Sequence, residues 1–259
     1  RGKCGADHWQ QRHFCCYNAD GWRGALMELY IIRHGQSTNN ALGTPVGRTF
    51  DPGLTDIGVR QADVLAAHLA NGSCPESQYE QREGYHLDHV YCSAMQRALL
   101  TARPVGAALG LKPEVWVDIH EQGGLYLDGD GGEPVGYPGL MRGQIQADYP
   151  DYVLPDAVTE EGWWNRGFET VAGATGRAIA IADSLVERAK NGHERIALIS
   201  HGMFVNLLLK ALFNQLPTPT TYYHHYNTGI TRLDIRQDGF IVLRYLNRTH
   251  HLTPDLITY

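Results

Sequence analysis

Two histidine–glycine pairs stand directly after apolar stretches of the sequence. His34 and Gly35 follow the run Leu-Tyr-Ile-Ile-Arg, and His201 and Gly202 follow Leu-Ile-Ser. The ligands of α/β sheets bind beyond the carboxyl ends of the strands, so the two pairs are expected to meet at one edge of a sheet. Either histidine alone is more often structural, but packing does not readily explain two pairs in equivalent contexts.

Arg33 precedes His34 directly, and it places a phosphate-binding guanidinium beside a nucleophilic imidazole. Gly35 permits close approach of the backbone at this point. Backbone amides at the start of the helix after His201 would also favour an anion. These residue types predict nucleophilic attack by a histidine on a phosphoryl group.

A third basic group, Arg97, lies four residues after Ser93. Ser93 is predicted to be the N-cap of a helix, which would place Arg97 at the end of the first turn, near the two histidines. Without the two histidine–glycine pairs, a solvated helix arginine would be the better interpretation.

The elements that must position these side chains alternate along the chain. Apolar runs predict strands over 28–33, 88–92, 114–117, 195–200, 229–235 and 240–246. Amphipathic patterns predict helices over 55–70, 94–109, 163–190 and 202–213. This alternation predicts an α/β three-layer sandwich, with a mostly parallel central sheet and helices on both faces.

Two stretches depart from this pattern. Residues 121–162 are rich in Gly, Pro and Asp but also in aromatic residues, and we interpret them as an active-site lid with one short helix over 139–148. Residues 1–26 show no apolar periodicity. They are either an appendage or an extension packed on a catalytic domain formed by residues 27–259.

Composition restricts the function further. The 259 residues carry a net charge of −6 and are 43% hydrophobic, as expected for a globular protein that binds no nucleic acid. No apolar run is long enough to cross a membrane, so a cytoplasmic location is the default. The five cysteines contain no C-x-x-C pair, and no histidine or carboxylate cluster has metal-ligand spacing. The adjacent pairs at 224–225 and 250–251 are expected to be surface histidines.

The ordered motifs resemble those of the histidine phosphatase superfamily, which includes cofactor-dependent phosphoglycerate mutases, fructose-2,6-bisphosphatases and broad phosphatases. The resemblance covers roughly residues 27–246. The motifs are Arg33-His34-Gly35, Leu54-Thr55-Asp56-Ile57-Gly58 with Gln61-Ala62, Ser93 with Arg97-Ala98 and Thr101-Ala102, Glu121, and His201-Gly202.

The resemblance implies a role for each matching position. His34 would carry the phosphoryl group, and Glu121 would give a proton to the leaving group, with Asp118 the weaker candidate for that proton. The phosphoryl oxygens would be bound by Arg33, Arg97 and His201, with Asn40 assisting at the rim of the pocket. Apart from the resemblance, Gly202 and Arg142 are expected to be further substrate contacts. Two arginines and a protonated His201 would supply the positive charge that a metal supplies elsewhere, so neither metal nor cofactor is expected.

The function predicted from the sequence is therefore a metal-independent phosphohydrolase acting on small-molecule phosphate monoesters. A phosphoglycerate mutase or a sugar bisphosphatase is the alternative within the family. A phospho-ligand-binding protein with weak catalysis is the alternative of another class, and a homodimer is left open. Residues 121–165 contain nine acids and the single cation Arg142, and this charge is expected to disfavour the bisphosphate that a mutase needs.

Overall fold

The computed structural model describes residues 26–72 and 83–259. The proposed appendage therefore lies, except for its last residue, outside the part of the chain that the structure describes. The strands are β1 (Leu26–Arg33), β2 (His89–Cys92), β3 (Glu114–Val115), β4 (Tyr126–Asp128), β5 (Pro134–Gly136), β6 (Arg195–Ser200), β7 (Ile230–Arg236) and β8 (Ile241–Arg248). The helices are α1 (Asp56–Asn71), α2 (Gln96–Leu109), α3 (Arg142–Asp148), α4 (Val171–Ala189) and α5 (Gly202–Leu212).

A six-stranded sheet in the order β3-β2-β6-β1-β7-β8 forms the centre of the fold. The pairs β3–β2, β2–β6 and β6–β1 are parallel, whereas β7 and β8 add an antiparallel edge. The predicted mostly parallel sheet is confirmed. The connection between the parallel neighbours β2 and β3 runs through helix α2, because parallel strands need a crossover connection.

Helices cover both faces of the sheet because alternate residues of β1 point in opposite directions. Tyr30 and Ile32 are buried in one apolar cluster with the side chains of α1 and α2. Leu29 and Ile31 are buried in a second cluster with the side chains of α4 and α5. The predicted three-layer α/β architecture is thus confirmed, and β1 is buried on both faces.

Two helix starts differ from the sequence prediction. Helix α4 begins at Val171 rather than 163, because Thr170 caps it by accepting from the Gly173 amide at 3.1 Å. Helix α2 begins at Gln96 with Met95 in the N-cap position. Ser93 is therefore not the N-cap, and its Oγ instead accepts from the Met95 amide at 3.2 Å.

The segment 121–162 contains more regular structure than its composition predicts. Strands β4 and β5 form a small antiparallel sheet, and α3 lies within the predicted helix 139–148. Trp163 and Trp164, just after the segment, are buried in the same cluster as α1 and α2. In residues 26–72 and 83–259 no helix is long and apolar enough to cross a membrane.

Candidate active site

The strand register brings the two histidine–glycine pairs together. Arg33 at the end of β1 is the register partner of Ser200 at the end of β6, so the residues that follow them are neighbours. The His34 amide donates to the Ser200 carbonyl at 2.9 Å. The imidazole rings of His34 and His201 lie 5.0 Å apart between centroids. Parallel pairing of β1 with β6 is therefore what positions both rings.

The backbone around His34 is fixed by its neighbours. The Gly35 amide donates to Thr101 Oγ1 at 3.0 Å, and this hydroxyl donates to the Arg97 carbonyl at 2.7 Å. A Cβ on Gly35 would lie 2.6 Å from the Gly58 carbonyl oxygen, so only glycine fits there. Gly35 thus permits close approach to the start of helix α1.

Arg97 contacts His34 directly from helix α2. Its Nε–H donates to Nε2 of His34 at 3.1 Å. The other ring nitrogen, Nδ1, lies 2.6 Å from the Gly35 carbonyl oxygen, which only accepts hydrogen bonds. Both contacts are satisfied when Nδ1 carries the proton and Nε2 carries the lone pair. This is the tautomer of a histidine that attacks through Nε2.

The electrostatic environment keeps this ring neutral. Burial, followed by the charges of Arg97 and Arg33, holds the pKa of His34 well below its usual range. A neutral imidazole is a nucleophile, whereas an imidazolium is not. The two arginines thus bring positive charge close to His34 and also keep it in its reactive form.

Arg33 is held by a residue far along the chain. Its Nη1 donates to the His225 carbonyl oxygen at 2.6 Å, and its buried Nε has no hydrogen-bond partner among the residues that the structure describes. His225 is only 1% exposed, so the expectation of a surface position is wrong for this histidine. A buried guanidinium N–H without a partner is suited to a phosphoryl oxygen.

His201 is fully buried, and neither ring nitrogen has a hydrogen-bond partner within residues 26–72 and 83–259. Burial, followed by the charge of Arg97, lowers the pKa of His201 well below its usual range. The protonated His201 expected from the sequence therefore does not fit this structure. A phosphate dianion beside the ring would raise its pKa and favour the protonated form.

The carboxylate of Glu121 accepts hydrogen bonds from backbone amides at the start of helix α5. Its Oε1 accepts from the amides of Phe204 and Gln122, both at 2.9 Å, and its Oε2 accepts from the Met203 amide at 3.2 Å. The carboxylate thus occupies two of the free amides of this helix, which sequence reasoning assigned to the phosphate. Asp118 does not line the pocket of His34 but a separate surface cavity with Arg166 and Arg177.

A cavity of about 230 Å³ opens beside these residues. Its charged and polar walls include Arg33, His34, Asn40, Arg48, Arg97 and Glu121. His201 and Gly202, both expected to bind the substrate, are not among the residues that line this cavity. Arg142 is outside the cavity, because its Nη1 donates to the carbonyl oxygens of Pro155 and Val158 at 2.9 and 3.0 Å. The substrate contact predicted for Arg142 does not agree with this position.

The sequence analysis expected the acids of residues 121–165 to repel a bisphosphate, but the structure places few of them at the cavity. Of the nine acids in this stretch, only Glu121 lines the cavity. Three arginines line it, among them Arg48 from the loop before helix α1. The three arginines outnumber Glu121 in the cavity wall, and the other eight acids of residues 121–165 do not line it.

Some residues that shape the site could not be found from the sequence. Asn227 donates from Nδ2 to the His34 carbonyl at 3.0 Å, and His225 contributes only its carbonyl. Backbone contacts of this kind leave no residue-type signal. In residues 26–72 and 83–259, no group of three or more His, Cys, Asp or Glu side chains is placed to hold a metal ion.

Comparison with known proteins identifies the family and supports the fold. Residues 29–248 match the histidine phosphatase superfamily (branch 1), and the chain belongs to this family. It is 23% identical over 243 residues to a probable phosphoglycerate mutase, GpmB, of Yersinia pestis (strain Pestoides F), a match that covers 88% of this chain and 95% of the relative.

Solved structures share the fold. A phosphoserine phosphatase mutant from Entamoeba histolytica in complex with phosphoserine superposes with a TM-score of 0.57 at 22% identity, over 88% of this chain and 100% of the other. A mycobacterial glucosyl-3-phosphoglycerate phosphatase gives a TM-score of 0.54 at 20% identity, over 86% and 100% of the two chains.

Proposed function

We propose that the protein is a metal-independent phosphatase that hydrolyses phosphate monoesters through a phosphohistidine on His34. The observation that carries the proposal is the state of this ring. His34 lines the cavity, its Nε2 bears the lone pair, and Arg97 donates to that same nitrogen. A nucleophile and a cation that binds phosphoryl oxygens are therefore at one position.

In the first step, the hydrogen bond donated by Nε–H of Arg97 passes from Nε2 of His34 to a phosphoryl oxygen. The freed lone pair of Nε2 attacks phosphorus, and the bond to the ester oxygen breaks. The leaving oxygen takes a proton from Glu121, and the alcohol departs. Arg33 and Arg97 bind the equatorial oxygens, on which the negative charge of the transferred group is spread. Asn40 at the cavity wall and His201, whose ring centroid lies 5.0 Å from that of His34, complete the phosphoryl site in this proposal.

In the second step, water attacks the phosphohistidine and the nitrogen–phosphorus bond breaks. Glu121, now ionised, accepts the proton of this water and is ready for the next cycle. Inorganic phosphate is the product, and Nε2 of His34 regains its lone pair. No electron leaves or enters the cycle, and all proton transfers involve Glu121.

The two oxygens of Glu121 are not equivalent in this scheme. Oε1 accepts from two amides, whereas Oε2 accepts from only one, at the longer distance of 3.2 Å. Oε2 therefore has the greater capacity to hold the transferable proton. We assign the acid and base steps to this oxygen.

A phosphoglycerate mutase remains the second candidate, for two reasons. The relative from Yersinia pestis is named a probable phosphoglycerate mutase. In addition, Arg48 gives the cavity a third arginine, which suits a substrate with a second acidic group. A sugar bisphosphatase would use the same cations. The solved phosphatases of the same fold favour hydrolysis of monoesters as the principal activity.

The test is to trap the intermediate. Wild-type protein in EDTA, mixed with a ³²P-labelled monoester and quenched without acid, should yield a phosphoprotein that is labile in acid and stable in base. The variant His34→Ala should yield none. Label that persists in His34→Ala would remove His34 as the nucleophile. Activity that is abolished by EDTA and restored by a metal would contradict a metal-independent mechanism.

The remaining parts of the proposal concern the surroundings of the site. We assign residues 121–162 as its lid, since Glu121, Gln122, Gly124 and Tyr126 line the cavity. The partner is a small-molecule phosphate ester, and the location is cytoplasmic. Fractionation of cells that make the protein tests the location, and light scattering tests for a homodimer.

A further inference from the structure

Asp51 is a buried carboxylate that has no part in the proposed reaction. Its side chain is only 6% exposed, and it lies between Phe50 and Pro52, two residues that line the cavity of His34. One oxygen, Oδ2, is buried and has no hydrogen-bond partner among the residues that the structure describes. Burying a carboxylate incompletely paired is costly, so its position calls for a compensating gain.

The carboxylate is attached to the first turn of helix α2. This helix has no side-chain cap of its own, since Met95 occupies the N-cap position. Oδ1 of Asp51 accepts from the Gln96 amide at 2.9 Å and so supplies the missing cap from a loop 45 residues earlier. A negative charge at this end of a helix also interacts favourably with the helix dipole.

The same oxygen faces the arginine that contacts the nucleophile. Oδ1 of Asp51 lies 4.0 Å from Nη1 of Arg97, which comes directly after Gln96. On its other side, Nε of Arg97 donates to Nε2 of His34. Asp51 therefore caps the start of helix α2 and places a carboxylate 4.0 Å from the guanidinium that contacts His34.

We propose that Asp51 is a positioning residue for phosphoryl transfer, and that it acts by holding Arg97 in the orientation in which Nε faces His34. The inference rests on the proposed function. It assigns a role to a residue that touches neither the substrate nor the reacting atoms.

The state of Asp51 gives this role a pH signature. Burial raises the pKa of Asp51 to about 6, and the charge of Arg97 and the Gln96 amide offset only part of this rise. The ionisable groups that interact with Asp51 are Arg97 and Tyr149, and Arg97 in turn interacts with Glu121, Arg33 and Arg48. The carboxylate is therefore ionised above about pH 6 and neutral below it.

The test compares Asp51→Asn with wild type across pH. Asparagine keeps an oxygen that accepts from the Gln96 amide but carries no charge, so the helix cap is retained while the interaction with Arg97 weakens. At pH 7.5 we expect kcat to fall by about tenfold to a hundredfold, as small misplacements of catalytic groups do, with KM changed far less. Near pH 5 about nine-tenths of the wild-type protein is neutral at this position too, so the ratio of the two activities should fall severalfold from its value at pH 7.5.

Taking this ratio removes effects that both proteins share. The second ionisation of the substrate phosphate also falls near pH 6, but it changes both rates equally. Asp63→Asn, which removes one exposed acid from helix α1, is the matched control and should leave the ratio at one throughout. A ratio that does not change between pH 5 and pH 7.5 would overturn the role of Asp51.

A spectroscopic measurement separates this inference from the proposed function. In protein with ¹⁵N-labelled histidine, His34 Nε2 should give the resonance of a nitrogen that accepts a hydrogen bond, assigned by its loss in His34→Asn. In Asp51→Asn at pH 7.5 it should move to the position of a nitrogen that accepts none. An unmoved resonance would refute the inference even if the enzyme is active. A wild type without phosphatase activity would refute the proposed function alone.

Discussion

At the scale of single residues, the site contains buried nitrogen atoms that have no hydrogen-bond partner in the part of the chain that the structure describes. Nε of Arg33 and both ring nitrogens of His201 are buried without a hydrogen bond inside the described chain. Native proteins rarely leave such groups unpaired, because each costs free energy that folding must offset elsewhere. An anion bound beside His34, as proposed above, would supply the partner that Nε of Arg33 lacks among the described residues.

The role of Glu121 leads to a prediction about leaving groups. Glu121→Gln keeps the size of the side chain but cannot donate a proton, so hydrolysis of alkyl phosphates should fall by about 10²–10⁴-fold. Nitrophenyl phosphate, whose leaving group needs no proton, should be affected much less. Steady-state rates on the two substrates give the comparison.

Two further variants make this result specific to Glu121. Glu161→Gln removes an exposed acid of the same segment and should leave both rates unchanged. Asp118→Asn tests the other candidate acid. Equal losses on both substrates in Glu121→Gln, together with a selective loss in Asp118→Asn, would transfer the acid role to Asp118.

At this scale the sequence was informative where a residue type carries the chemistry. Arg33, His34 and Arg97 could be proposed from motifs, because guanidinium and imidazole groups are what a phosphoryl group requires. Asp51 could not, since its role depends on a loop that folds back onto the start of helix α2. The prediction for Arg142 was wrong for the same reason, because nothing in the sequence indicates that the carbonyl oxygens of Pro155 and Val158 accept from it.

At the scale of secondary-structure elements, the start of helix α1 determines how closely the loop after His34 can pack. A Cβ on Gly58 would lie 2.1 Å from the Gln36 carbonyl oxygen, which cannot move aside as a flexible side chain could. Gly58→Ala should therefore destabilise the protein by about 1–3 kcal/mol, the usual cost of overpacking. It should also lower activity, because Gln36 follows the catalytic motif directly.

A second glycine in a helix provides the matched control. Gly176 lies in helix α4 with nothing within 4 Å of the place its Cβ would take. Gly176→Ala should stabilise the protein by about 0.4–1 kcal/mol, since alanine restricts the unfolded chain. Urea denaturation of both variants measures the two free energies of unfolding. If Gly58→Ala were as stable as Gly176→Ala, the close approach would not exist.

Element boundaries show why the sequence prediction was good for strands and less good for helix starts. The strands are short apolar runs that must be buried between two layers, and this pattern is visible in the residues of β1 and β6. The starts of α2 and α4 depend on which side chain caps them. Trp163 and Trp164 extend the apolar pattern of α4, but they are used by the core on the other side of the sheet.

At the scale of the whole molecule, buried histidines predict a loss of stability in mild acid. Burial lowers the pKa of His120 and His251 to about 3, and of His68 and His225 to about 4. These groups are neutral in the folded protein but become protonated in the unfolded chain below about pH 6.5, so unfolding takes up protons.

The free energy of unfolding should fall steeply as the pH falls. Asp51, a buried acid of the site, offsets part of this fall. Each proton taken up on unfolding lowers the free energy of unfolding by about 1.4 kcal/mol per pH unit between about pH 6.5 and 4. Asp51, whose pKa is raised to about 6, acts in the opposite direction, because the folded protein binds its proton first. Thermal unfolding at pH 7.5, 6 and 5 checks this. A constant Tm from pH 7.5 to pH 5 would show that these histidines do not titrate as described.

The balance between hydrolysis and mutase activity is also a property of the whole molecule. We expect phosphate release from monoesters to exceed conversion of 3-phosphoglycerate to its 2-isomer, even with 2,3-bisphosphoglycerate present. The reason is that the acid and base steps need only Glu121 and water. Both activities should be assayed at equal enzyme concentration. A mutase turnover above the best phosphatase turnover would show that the protein is principally a mutase.

The position of β1 between β6 and β7 has a consequence for synthesis of the protein. His34 and His201 are separated by 201 − 34 = 167 residues, so the ribosome needs on the order of ten seconds or more to add the second after the first. Throughout that interval the apolar residues of β1 lack both neighbouring strands, and unpaired apolar strands are prone to aggregate. A chain that stops before β6 should accordingly accumulate as aggregate, and chaperones that hold nascent chains should increase the yield of active protein.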